Sequence, residues 1–340
     1  MGVKLSFVVG PAAVRSGVWR PEVRSAVLIL LVLAAGWLKD PRLLSPSSLN
    51  TVLLAVPLLL VVALGQMLVI VSRGIDVSVG SMVGLAGICL GLMFRSFPNL
   101  PMSLAAGAAL GMGVVFGLIN GLLVARLAVP PVVATLGTMS IFRGLTFIIS
   151  RGQQIDSNDI PNALTAWSLQ GPFKIGQLSV PWLLIIALAF FALVFVLAHR
   201  TVWGLRLFAI GSNSEAARLR AVPVFATVIG AYAICGALAG FAGLMYASKF
   251  GFVNPATAGL GLELMSIAAV VVGGCDIRGG AGTVIGAFLG CVFLSTVFVG
   301  LSVLHIEADW QQLVYGAVII AALWLDALAA KWPRFRSASR

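Results

Sequence analysis

Charge is what this chain has least of. Only 10% of its 340 residues are charged, against 60% hydrophobic, and the mean hydropathy is +1.07. A soluble domain of this length needs far more charge to cover its surface, so a water-soluble globular fold is excluded. Lysine is scarcer still. Lys4, Lys39, Lys174, Lys249 and Lys331 are all there are, and none follows a glycine. The Gly-x-x-x-x-Gly-Lys-Ser/Thr loop that cradles nucleotide phosphates is therefore missing, and the chain is not expected to hydrolyse ATP or to bind a cofactor. His199 and His305 have no serine or cysteine partner in a nucleophile motif, which leaves no recognisable enzymatic chemistry. Cys89, Cys235, Cys275 and Cys291 form no Cys-x-x-Cys pair and have no nearby histidine, so no metal site is expected and they read as small buried hydrophobes. Basic stripes interleaved with aromatics are lacking too, so the net charge of +11 does not point to nucleic acid. The charges lie in loops and tails, where membrane topology and anionic lipid headgroups account for them.

Long apolar runs are abundant. Ten spans are expected, at 25–38, 51–71, 77–94, 102–126, 130–150, 181–198, 224–247, 262–274, 281–303 and 311–329. The expected fold is all-α and polytopic. The first and eighth runs are short for a full crossing, so one of them is either lengthened by its flanks or re-entrant. Arg15, Arg20 and Arg24 ahead of the first run resemble a signal peptide, but no small-residue cleavage site follows, and an uncleaved first helix is expected. With both termini inside, fifteen of the 22 basic residues fall on the cytoplasmic side, as the positive-inside rule requires. The expected organisation is a cytoplasmic tail over 1–24, a transmembrane domain over 25–329 and a basic cytoplasmic tail over 330–340.

Two loops stand out. The extracytoplasmic loop 151–181 carries Asp156, Asn158, Asp159 and Asn162, and is either a docking surface or a solvated connector. The cytoplasmic loop 199–223 holds Arg200, Arg206, Arg218 and Arg220. Ser212 followed three residues later by Glu215 reads as a capping box, so a short amphipathic helix over 212–221 is expected, stopped by Pro223. Such a helix on the cytoplasmic face is a handle for another protein.

Four stretches in order carry a family resemblance. They are Arg73-Gly-Ile-Asp76-Val-Ser-Val-Gly80-Ser81, then Pro131 to Thr138 with Arg143-Gly144, then Gly211-Ser-Asn213-Ser-Glu215-Ala216-Ala217-Arg218, and Gly261-Leu-Glu263 through Gly273-Gly274 to Gly282. Over roughly residues 45–330 the chain resembles the permease subunits of bacterial ABC importers of the ribose, rhamnose and autoinducer-2 type. The resemblance implies an inner-membrane subunit that pairs with a second copy or a sister permease. Two ATP-binding domains of a separate ATPase, which uses ATP and Mg, would dock below, and a periplasmic sugar-binding protein would deliver substrate from above. It assigns contact with the ATPase to Arg206, Gly211, Asn213, Glu215, Ala216, Ala217, Arg218 and Arg220. A monosaccharide or autoinducer-2 is the implied cargo. Branched-chain amino-acid permeases share the superfamily, so an amino acid stays open.

Polar groups inside spans are costly in lipid and face a cavity or a partner. Gln66, Asn120, Thr135, Thr138, Ser140, Arg143 and Glu263 are the pore or substrate candidates, with helix–helix hydrogen bonding as the alternative for each. Arg143 and Glu263 are an eligible ion pair. Asp76 with Gly80, and Gly274 with Asp276 and Gly280, mark two cytoplasmic turns that align as a weak internal repeat, in which the aspartates cap helices or take part in gating. A self-sufficient secondary transporter is the rival reading. Ion coupling relies on intramembrane carboxylates, and Glu263 is the sole acid well inside a span. A membrane scaffold without a pore would not need the capped basic loop.

Overall fold

The computed structural model describes residues 21–307 and, beyond them, the helical positions 310, 313, 314, 316, 317, 320, 321 and 324. The tenth expected span is thus described only at scattered positions, and residues 1–20 and 330–340 lie outside the described residues. The helices are α1 (Pro21–Lys39), α2 (Pro46–Val71), α3 (Val79–Ser96), α4 (Met102–Ala125), α5 (Pro131–Ser150), α6 (Asn162–Leu169), α7 (Trp182–Arg200), α8 (Val202–Ser212), α9 (Ser214–Leu219), α10 (Val224–Phe250), α11 (Leu262–Val272) and α12 (Val284–Val303). Strands β1 (Phe173–Ile175) and β2 (Leu178–Val180) form a small antiparallel hairpin between α6 and α7. Among the described residues seven helices, α2, α3, α4, α5, α7, α10 and α12, are long and apolar enough to cross a membrane.

Local signals set the ends of these helices. α2 starts five residues before its apolar run because Ser45 Oγ accepts from Ser48 N at 3.3 Å, with Pro46 in the first turn. Pro131 opens α5 in the same way. The eighth apolar run yields only the 11 residues of α11. That is about 16 Å of helix against roughly 30 Å of hydrocarbon, so α11 alone does not span. It is preceded by irregular chain over 251–261 in which Val253 and Ala258 are fully buried. Non-helical backbone at membrane depth is tolerated only when packed in protein like this.

α2 is the hub. Within its most apolar stretch 89% of the residues are buried, against 28%, 28% and 22% for α4, α5 and α7, which present their outer faces to lipid or to a partner. A helix that is apolar all round belongs in the middle of a bundle. α4 and α10 pack backbone to backbone: Gly113 lies on the Gly236 carbonyl, Gly117 on the Tyr232 carbonyl and Gly240 on the Ala109 carbonyl. The Gly80, Gly84, Gly87 and Gly91 face of α3 seats the 253–259 segment and Ile155, while Gly286 and Gly290 pack α12 on α11.

The loops sort to two ends of the bundle. At one end Gly280 N donates to Val71 O at 2.9 Å, Thr283 Oγ1 to Glu22 Oε1 at 2.8 Å, and the Arg126 guanidinium lies 6.0 Å from the Phe225 ring. The 199–223 segment, the turns 72–78 and 273–283 and the start of α1 therefore share that end. The opposite end carries loop 151–181, which is built rather than slack. It contains α6 and the β-hairpin, pairs Ile155 with Val253 in an antiparallel bridge, and anchors Asp159 to Arg95 at 2.7 Å. Arg95 and its hydrogen bond hold the Asp159 carboxyl below the ordinary carboxylate range.

Candidate functional site

The 199–223 segment folds as two helices rather than one. Thr201 caps α8, its Oγ accepting from Gly204 N at 3.1 Å. Asn213 is the extended residue between the helices (φ −161°, ψ 106°), and its Oδ1 accepts from Ala216 N at 3.0 Å to cap α9. This corrects the expected capping box. Ser212 is the last residue of α8, and its hydroxyl donates back to Phe208 O at 2.9 Å. A residue still in helical conformation cannot act as an N-cap. α9 itself is shorter than expected, Ser214–Leu219, and closes when Ala221 takes a left-handed conformation (φ 56°).

Arg206, Asn213, Glu215, Ala216, Arg218 and Arg220 are exposed, while Ala217 and Gly211 are buried. Ala217 seats α9, and Gly211 packs against the Val71 carbonyl and the Gly280 backbone. Sequence reasoning missed Leu219, which is 90% exposed between Arg218 and Arg220. A leucine beside basic residues on a short helix looks like ordinary filler. Only its position at the tip of α9 marks it as an apolar knob.

The buried polar residues meet around one turn. Asp76 Oδ1 accepts from Ser78 N at 2.9 Å and Ser78 Oγ at 2.6 Å, and Asp76 Oδ2 accepts from Asn120 Nδ2 at 3.0 Å. Asn120 Nδ2 also reaches Ser78 Oγ at 2.8 Å, and Asn120 Oδ1 accepts from Thr138 Oγ1 at 2.7 Å. Thr135 Oγ1 donates to Pro131 O at 2.9 Å and to Ile75 O at 3.2 Å. Gln66, with its amide turned to satisfy both groups, brackets the Asp76 backbone, donating to its carbonyl at 3.1 Å and accepting from its N–H at 3.2 Å. Gln66, Asp76, Asn120, Thr135 and Thr138 thus form one network joining α2, α3, α4 and α5. Burial raises the Asp76 carboxyl above its ordinary value, while the bonds from Ser78 and Asn120 pull it back down.

Asp76 does not cap α3 in the expected manner. It closes a local turn onto the N–H of Ser78, the residue at the N-cap position. Asp276 does the same with Arg278 N at 2.9 Å, so the two aligned turns share a device.

The remaining candidates lie apart from this network. Ser140 is exposed and donates to Leu136 O at 3.2 Å. Arg143 Nη1 donates to Ala258 O at 2.8 Å, beside Gly84. Glu263 Oε1 accepts from Gly261 N at 3.2 Å, and its Oε2 is buried against Gly80 without a donor. Arg143 and Glu263 do not close the envisaged ion pair. They face the same side of α3 one helical turn apart, each satisfied in part by backbone of the 258–261 segment.

A bundle of apolar helices with a buried polar network around the α2–α3 turn and two short exposed helices at the same end is built as a polytopic membrane permease. The family comparison makes this specific. A family model described as branched-chain amino acid transport system / permease component matches residues 48–323, most of the chain, and the chain belongs to that family. It is also 39% identical over 305 residues to the Autoinducer 2 import system permease protein LsrC of Escherichia coli O157:H7, covering 90% of this chain and 86% of that one. The LsrC proteins of Enterobacter sp. strain 638 and Photorhabdus luminescens are 37% and 36% identical over the same share of this chain, covering 86% and 89% of their own length. No solved structure matches.

Proposed function

We propose that this chain is the membrane-spanning subunit of an ATP-driven importer that carries autoinducer-2 or a closely related monosaccharide, such as rhamnose or ribose, into the cell. The observation that carries the reading is the similarity to autoinducer-2 import permeases over nine tenths of the chain. The subunit works as a dimer with itself or with a sister permease, in the bacterial inner membrane, with both termini in the cytoplasm. A periplasmic binding protein supplies substrate at the end that carries loop 151–181. A separate ATPase docks at the opposite end on α8 and α9, through Arg206, Glu215, Arg218, Leu219 and Arg220. ATP and Mg are bound by that partner.

The sparse polar lining suits this division of labour. A tight sugar site needs many hydrogen-bond partners, and here Gln66, Asn120, Thr135 and Thr138 already have partners within the protein. Affinity then resides in the binding protein and passage here is weak.

The test is a gentle pull-down from native membranes through a tag after Arg340. The expected result is a co-isolated ATPase that is lost on Glu215→Arg, with the permease still in the membrane. A chain that comes down alone and moves sugar in liposomes without ATP would instead be a facilitator. The family description favours one second reading, a branched-chain amino-acid substrate. Competition of uptake by leucine or isoleucine rather than by rhamnose would establish it.

A further inference from the structure

The turn after α2 is built around a residue that is out of place by conformation. Arg73 has φ of +69°, the left-handed region that favours glycine. Its N–H donates to Ile70 O at 2.9 Å and that of Gly74 to Val69 O at 2.9 Å, the ending in which glycine normally holds the left-handed position. The turn after α11 ends with the same pair of bonds, Gly274 to Val271 and Cys275 to Val270, and there glycine does occupy that position, with φ of +90°. Arginine at 73 carries a strain of about 1 kcal/mol that glycine would not. Strain kept at one site points to a use for the side chain.

That use is visible. Arg73 Nε donates to Gly211 O at 2.7 Å and Nη2 to Ser212 O at 2.9 Å. These are carbonyls from the last turn of α8, which lack partners inside the helix, and a cation there also complements the helix dipole. Beneath the fork, Gly211 packs on the Val71 carbonyl and Gly280 N donates to the same carbonyl at 2.9 Å. The junction therefore ties together the ends of α2 and α8 and the 279–280 turn. One residue beyond Ser212 stands Asn213, the cap of α9. Three residues beyond Arg73 stands Asp76, bracketed by Gln66 and bonded to Asn120.

We infer that Arg73 is the positioning residue that carries movement of the α9 surface into the α2–α3 turn and so into the Asp76 network. The inference rests on the importer reading above. A push on α9 moves Asn213 and Ser212. The two-pronged grip of Arg73 on Gly211 and Ser212 makes the turn follow, because a planar fork with two bonds resists both sliding and rotation. The turn then moves Asp76, and with it Asn120 on α4 and Thr138 on α5. A lysine would hold the junction at a single point and transmit less.

The test uses the permease reconstituted in liposomes with its co-purifying ATPase and the cognate binding protein, with labelled autoinducer-2 as probe, reading substrate taken up per ATP hydrolysed. Arg73→Gly keeps the backbone conformation, so the melting midpoint in detergent and the amount of bound ATPase should stay near wild type. Uptake per ATP should fall about tenfold, within the usual range of coupling between sites. Arg73→Lys should fall by less. An unchanged ratio in Arg73→Gly would overturn the inference, as would a loss of uptake that only tracks lost protein. If Arg73→Gly does not reach the membrane, Arg73→Lys decides: a lowered ratio supports the link and an unchanged one overturns it. A wild-type chain with no ATP-dependent uptake would instead sink the importer reading, and the inference with it.

Discussion

Exchanging the two residues at the centre of the buried network gives a sharp test of how it is held. Asn120 makes three side-chain bonds, two as donor to Asp76 Oδ2 and Ser78 Oγ and one as acceptor from Thr138. Asn120→Asp keeps the shape but sets a second carboxylate 3.0 Å from the first in a fully buried site. Two such groups cannot both ionise, so one must stay protonated. Holding a carboxyl of ordinary pKa near 3.9 protonated at pH 7 costs about 4 kcal/mol, at about 1.36 kcal/mol for each pH unit. The sign follows from linkage. The unfolded chain gives up that proton above about pH 4 whereas the folded protein has to keep it, so the variant is near wild type below about pH 4 and loses stability as pH rises. Asp76→Asn alone sets two amide donors face to face and costs about 1–3 kcal/mol. The double variant, Asp76→Asn with Asn120→Asp, again sets a donor against an acceptor between residues 76 and 120, leaves the one Ser78 hydroxyl proton to two acceptors, and should recover much of the loss. The interaction energy in this double-mutant cycle is about 3 kcal/mol or more in favour of the double variant. Unfolding of purified protein in mixed micelles, read at pH 5 and pH 7, measures it. An Asn120→Asp variant as stable as wild type at pH 7, or a double variant as unstable as the sum of its parts, would refute the reasoning.

Two further outcomes are expected. Leu219→Asp alters a side chain that is 90% exposed, so its effect on stability should stay within about 0.5 kcal/mol, yet the ATPase recovered in a pull-down should drop about tenfold or more. Gly236→Leu forces a side chain into the Gly113 carbonyl and the Gly117 backbone, and overpacking there costs about 3 kcal/mol or more. Its membrane abundance should fall sharply, whereas Gly107→Leu, at a position with open space around it, should be tolerated.

The helices were the legible part of the chain, because lipid demands long apolar runs and leaves little else to read. The 102–126 and 130–150 runs became α4 and α5 to within a residue. The misreadings have local causes. Apolar content does not see Ser45 and Pro46, so the apolar run begins five residues after α2 does. The Ser212-x-x-Glu215 pattern fits a capping box, but α8 runs through Ser212 and hands the cap to Asn213. The 262–274 run is apolar enough for a span, yet α11 stops at Val272 because Gly273 and Gly274 turn the chain. Gln66, Asn120, Thr135 and Thr138 are each readable as a lone intramembrane polar group, and Asp76 as part of a cytoplasmic turn. Residues 66, 76, 120, 135 and 138 come together only when α2, α4 and α5 are packed, and separation along a chain does not encode that. Arg143 and Glu263 show the converse. Opposite charges in apolar surroundings suggest a pair, but the backbone of the 258–261 segment reaches both first.

The most direct test of the central claim is uptake of labelled autoinducer-2 and rhamnose into liposomes that hold this permease with its co-purifying ATPase and the cognate binding protein. The account predicts uptake that needs ATP and the binding protein together, and that collapses on Glu215→Arg while the permease itself remains in the membrane. Uptake that proceeds at the same rate without ATP, or that survives Glu215→Arg unchanged, would contradict it.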